Sequence, residues 1–158
     1  MKIRPIIFST PMVRALLDGR KTQTRRLRTS PLALCEVGDL LYVRESAWSC
    51  PPGWADVPAN PMGPKHQEVA YAADDRKGGT REAARDYKIK LAPSIHLPRW
   101  ASRLTLEITD VRFDRLQMIR NADIRAESFG SPVEMEVLWD ALHGEGSWRS
   151  NPEIVALT

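Results

Sequence analysis

Leu104-Thr-Leu-Glu-Ile-Thr109 places an apolar residue at every second position. That period is the pattern of a strand with one face on a core. Val111 and Phe113 extend the alternation to Leu116, past an irregularity at Asp110. Working outward, Leu40-Leu-Tyr-Val-Arg-Glu45 follows a Gly38-Asp39 turn and reads as another strand. Lys2 to Phe8 reads as an edge strand, because Pro5 removes a ladder donor. Glu68 to Ala72 and Ile154 to Leu157 are further short strands. The helices are brief. Thr10-Pro11 starts one, with Thr10 as cap and Pro11 in the first position, Met12 and Leu16, with Val13 and Leu17, as its buried face, and Gly19 as its stop. Asn121 to Phe129 is a second. Ser131-Pro-Val-Glu134 opens a third with a capping box, and Met135, Leu138, Trp139 and Leu142 form one apolar face ending near Gly144. Strands outnumber helices without regular alternation, which predicts an α+β fold, a small β-barrel with short peripheral helices. One domain is expected over 1–158, with a long irregular loop at about 49–67 and a charged loop at about 74–94.

A chain of 158 residues buries a core without disulfides or metals. The opening residues are too short for a signal peptide and no window approaches a spanning helix, so a cytoplasmic protein without membrane contact is expected. Cys35 and Cys50 lack a Cys-x-x-Cys spacing, and His66, His96 and His143 are scattered. Two reduced structural thiols and no metal or cofactor are expected.

Charge is concentrated in Leu17-Asp-Gly-Arg-Lys-Thr-Gln-Thr-Arg-Arg-Leu27. Residues 1–28 carry eight Lys or Arg and one acid, giving +7, while residues 29–158 carry fifteen basic and nineteen acidic residues, giving −4. A local basic patch on a slightly acidic chain suits a phosphate-bearing or nucleic-acid partner. Arg20, Lys21, Thr22, Arg25 and Arg26 are the binding candidates. Two other readings stay open: a solvated turn, and a site in which one of two hydroxyls, Thr22 or Thr24, does chemistry. Arg44, Trp48, Arg99 and Trp100 lie at strand and loop junctions where an exposed indole stacks a base; Trp139 is expected in the core. Glu45 ends its strand beside Arg44, as a rim ion pair or a competing active-site carboxylate.

Four ordered segments resemble the ASCH family of PUA-like barrels, in particular its phage and prophage branch: Pro5-Ile-Ile-Phe-Ser-Thr-Pro-Met-Val-Arg-Ala-Leu-Leu17, Gly38-Asp-Leu-Leu-Tyr-Val-Arg-Glu45, Leu97-Pro-Arg-Trp-Ala-Ser-Arg103 and Leu138-Trp-Asp140. The family pattern Gly-x-Lys-x-x-x-x-Arg falls on Gly19, Lys21 and Arg26. The resemblance implies a PUA-like barrel that recognises RNA or a modified nucleoside in a cleft beside this loop. Some ASCH proteins are amidohydrolases of N4-acylcytidine that use Lys, Thr and Glu, and these fall on Lys21, Thr24 and Glu127. The branch usually has Gly after this Glu, where this chain has Ser128. Relatives also continue after the Asn-Pro with a longer aromatic strand than Glu153 to Thr158. Recognition is the leading expectation, deacylation the alternative, and a protein-interaction module with an incidental basic loop the third.

Overall fold

The computed structural model describes residues 1–50 and 68–158; Ser49 and Cys50, expected to open the loop at about 49–67, belong to a strand, and the rest of that loop, with His66, and the Cys50 side chain lie outside the described residues. In chain order the elements are β1 (Ile3–Ile7), α1 (Thr10–Leu17), β2 (Thr24–Leu27), β3 (Leu40–Arg44), β4 (Ala47–Cys50), β5 (Glu68–Tyr71), α2 (Gly79–Asp86), β6 (Leu91–Ala92), β7 (Thr105–Glu107), β8 (Val111–Arg115), α3 (Asn121–Ala126), α4 (Pro132–His143) and β9 (Glu153–Leu157). They form a mixed α+β architecture with three three-stranded sheets, ordered β1-β3-β7, β2-β9-β8 and β5-β4-β6. Among the described residues no closed barrel forms. Nor is any helix there long and apolar enough to cross a membrane.

The predicted elements recur with informative exceptions. β1 is an edge strand, where Pro5 costs no ladder bond. β3 alternates in burial, with Leu41 and Val43 buried, although its sequence is almost continuously apolar. The alternation from Leu104 does not run on to Leu116: β7 ends at Glu107, and β8 pairs with β9 in a different sheet. The stretch expected as a charged loop carries α2, because Asp75 accepts the amides of Thr80 at 3.1 Å and Arg81 at 3.0 Å. That satisfies first-turn donors that no apolar periodicity announces. In α1 the fully buried residues are Val13 and Ala15, while Leu17 is exposed. In α4 Ser131 Oγ caps the amide of Glu134 at 3.3 Å, but the Glu134 carboxylate accepts from the Gly130 amide at 2.8 Å instead of closing on Ser131. Met135 and Trp139 are buried as expected; Leu142, at the helix end, is exposed.

The chain divides into two compact units, Met1–Arg4 with Ala15–Leu40 and Glu107–Thr158, and Pro5–Arg14 with Leu41–Leu106. In the first, β9 is the central strand, and Ile154 and Ala156 pack with Leu116, Met135 and Trp139. In the second, one apolar cluster joins Trp48 to Ala70, Ala72 and Ala84, and another joins Ala47, Val69, Leu97 and Ala101.

Candidate functional site

The basic stretch belongs to the first unit, and backbone bonds fix it at both ends. After α1, Gly19 takes φ +70°, a left-handed conformation that glycine adopts without a Cβ penalty. The amides of Arg20 and Lys21 then both donate to the Ala15 carbonyl, at 2.8 and 3.0 Å. Beyond them the amides of Thr22 and Gln23 donate to the Ala126 carbonyl at the end of α3, at 2.8 and 3.0 Å. Because Glu127 follows Ala126 directly, this second clamp sets Lys21 beside Glu127.

The Lys21 ammonium donates to Glu127 Oε2 at 2.5 Å and to the Gln23 carbonyl at 2.8 Å, with both side chains almost fully buried. Arg25 holds the other carboxylate oxygen, Oε1, at 3.3 Å and reaches Asp123 at 3.2 Å. Arg112 binds the second oxygen of Asp123 at 2.9 Å. Three cations and two carboxylates thus form one continuous network. Thr24, also buried, accepts at Oγ1 from Arg26 at 3.0 Å. Gln23 donates from Nε2 to Thr158 Oγ1 at 3.1 Å, and its side-chain oxygen Oε1 is buried with no hydrogen-bond partner among the described residues. An unpaired buried acceptor costs about 1–3 kcal/mol, and a ligand N–H or O–H donor would offset it.

Burial lowers the Lys21 pKa below its ordinary value; Glu127 opposes that, and Arg26 and Arg25 reinforce it. The arginines therefore act in the expected direction, but exclusion from water is the larger cause. Asp123 lies below its usual range despite burial, held there by the Arg120 amide, Arg112 and Arg25.

The arrangement revises the reading of the stretch as an outward-facing patch. Lys21 and Arg25 are buried and paired, and Arg20, although exposed, is paired with Asp18 at 3.0 Å. Thr22 is exposed beside them. Buried and already paired, Lys21 and Arg25 do not form a row of exposed cations for a run of phosphates. No family model matches this chain, and no curated protein matches it. Among solved structures, the crystal structure of hypothetical protein PH0355 is similar, with a TM-score of 0.50 and 12% identity over 99% of this chain and 95% of that one. At that identity the likeness concerns the fold alone.

The remaining expected ligand residues belong to the second unit. Trp48 is 3% exposed in an apolar cluster, so its indole is a core residue and no stacking surface. Trp100 packs, half-buried, against the Leu97 cluster. Arg99 lies 5.6 Å from the Tyr42 ring centroid, and Arg44 donates to the carbonyls of Leu97 and Ile95. Glu45 does not pair with Arg44: Arg103 grips it at 2.9 and 3.2 Å, holds Asp74 at 2.7 and 3.0 Å, and covers the Tyr71 ring at 4.0 Å. Burial raises the Glu45 carboxyl above its ordinary value against the pull of Arg103. Among the described residues no group of three His, Cys, Asp or Glu is placed to hold a metal ion.

The sequence reading missed Gln23, Asp123 and Arg112. One signal was available: Asp123 lies four residues before Glu127, a spacing that sets both carboxylates on one side of a helical turn.

Proposed function

We propose that this chain is an ASCH-type, PUA-like domain that recognises a modified nucleoside, free or within RNA, at the Lys21–Glu127 site. The observation that carries this reading is the buried Lys21–Glu127 contact at 2.5 Å, closed by Arg25, in a stretch that also buries Thr24 and leaves the Gln23 side-chain oxygen without a hydrogen-bond partner among the described residues. Its cations are engaged by Glu127 and Asp123, so it favours a base edge with donors and acceptors over a phosphate. The four segments of ASCH resemblance supply the substrate class.

A second reading, deacylation of N4-acylcytidine, is supported by the position of Lys21 and its lowered pKa. In this reaction Lys21 acts as a neutral amine, having lost its proton to solvent above its lowered pKa. It then takes the Thr24 hydroxyl proton as Oγ1 attacks the acyl carbonyl carbon. Arg26, already donating to Oγ1, steadies the developing negative charge on that oxygen. Collapse breaks the bond between the acyl carbon and N4, and N4 takes the proton from Lys21. Water hydrolyses the threonyl ester, releasing the acid and restoring Thr24. The test is incubation with N4-acetylcytidine followed by chromatography for cytidine. Deacylation predicts turnover that falls by at least about 10²-fold in Lys21→Ala and Thr24→Ala alike. Turnover equal to wild type in either variant contradicts it.

A further inference from the structure

The sheet β2-β9-β8 holds a second feature away from the buried network: a cleft of about 360 Å³ lined by Arg28, Phe113, Asp114, Arg115, Glu153 and Ile154. Its volume is at the lower end of small-ligand sites. The register opposes Phe113 to Val155 and Arg115 to Glu153, and the Arg28 amide donates to the Glu153 carbonyl at 2.9 Å. Directly opposed strand residues share a face, so Phe113, Arg115 and Glu153 stand on one side of the sheet. Phe113 is 51% exposed, on an edge strand. The Arg28 guanidinium lies 3.6 Å from its ring centroid.

The charges in the cleft are unequal in their freedom. Arg115 lies 3.6 Å from Glu153. Asp114 accepts from the Arg115 amide at 2.8 Å. Among the described residues Arg28 has no carboxylate partner, and the face of Phe113 is its neighbour. A guanidinium stacked on an exposed aromatic presents a wide planar surface and keeps its N–H edge open for an anion. A flat π surface next to an unneutralised cation matches one nucleotide of a single strand, the base on the plane and a phosphate on the edge.

We propose that this cleft is a single-strand nucleic-acid site, in which a base stacks on the Phe113–Arg28 platform and the adjoining phosphate binds the Arg28 guanidinium. It rests on the nucleic-acid part of the reading above but uses none of the residues of the Lys21 site. It extends that site's reach from a nucleoside to the strand that carries it.

The experiment is fluorescence anisotropy with a labelled oligouridylate of about ten nucleotides, long enough for one such surface. Phe113→Ala weakens binding by about tenfold, and Phe113→Trp restores it. Arg28→Gln weakens binding and lowers the slope of log affinity against log salt by about 0.7, one single-strand phosphate contact. Thermal melting confirms that the variants fold, and light scattering gives their mass. Affinities of Phe113→Ala and Arg28→Gln within about twofold of wild type overturn the inference, as does a wild-type protein that does not bind the oligomer. A wild-type dimer that Phe113→Ala converts to monomer assigns the face to a second copy and also overturns it. N4-acetylcytidine binding or turnover, measured on the same proteins, separates the two claims. If it is intact while the oligomer result fails, the cleft is wrong and the Lys21 reading stands. If it is absent while Phe113 governs oligomer binding, the reverse holds.

Discussion

Glu127 holds two cations at once, so the two partners of its ion pair are not equivalent. Removing Glu127 takes a carboxylate from the buried Lys21 ammonium and leaves it the neutral Gln23 carbonyl at 2.8 Å, whereas removing Lys21 leaves Glu127 still paired with Arg25. Glu127→Ala is therefore expected to destabilise the fold by about 3–5 kcal/mol, and Lys21→Met by clearly less. Urea unfolding of the two variants measures this, and equal losses would contradict the arrangement. The amine also predicts a pH profile. If Lys21 is the base, the rate rises with pH until its depressed pKa is passed, below the ordinary lysine value. Glu127 raises that pKa, so in Glu127→Gln the rising limb moves to lower pH, whatever the residual rate. Lys21 and the Thr24 hydroxyl stood out in the basic stretch itself, whereas Glu127 was legible only through the family pattern. Asp123 was not, because an acid in a helix's first turn usually complements the helix dipole. Here Arg25 and Arg112, from two strands, pull it into the network instead.

At the scale of elements, short signals at chain reversals proved the most readable. Gly19, Gly38 and Gly144 all take positive φ where a stop or turn was expected. Space around Gly19 is open, so Gly19→Ala costs only the left-handed backbone, about 1–2 kcal/mol, with no clash added. Gly19→Asn should cost less than Gly19→Val, and thermal melts of the three variants rank them. Ser131→Ala removes the cap of α4 and is expected to lose about 0.5–2 kcal/mol in the same assay. Element ends and partners were less readable. Period two described both β7 and β8 correctly as strands, but it carries no information about which sheet each joins. α2 escaped because Ala83 and Ala84 are its only apolar residues and its cap, Asp75, lies outside the helix. Leu142 satisfied the helical spacing, yet the last turn of α4 has no core beneath it.

For the molecule as a whole, the final strand is the least dispensable element despite its short, non-aromatic sequence. β9 pairs with β2 on one side and β8 on the other, and four of its five residues are buried. Deleting residues 153–158 is expected to abolish the amide-exchange protection of β2 and β8, and persistent protection would contradict the topology. Asp39, Asp123 and Asp140 all titrate below their usual range. Each contributes stability above the ordinary aspartate pKa that is lost as pH falls through its folded value. Glu45 acts oppositely: its raised pKa favours the folded state when protonated, and that contribution is lost as pH rises through the folded value. Asp123→Asn should therefore flatten the acid limb of stability against pH, while Glu45→Gln should not. The α+β class was readable from the strand and helix signals, whereas the division into three sheets depends on pairings between distant segments. The Lys21–Glu127 site is the centre of the proposed function, and its most direct measurement is an NMR titration of Thr24→Ala protein with N4-acetylcytidine. Amide shifts clustered on residues 21–26 and 126–128 are the predicted result; no shift there at millimolar nucleoside would contradict it.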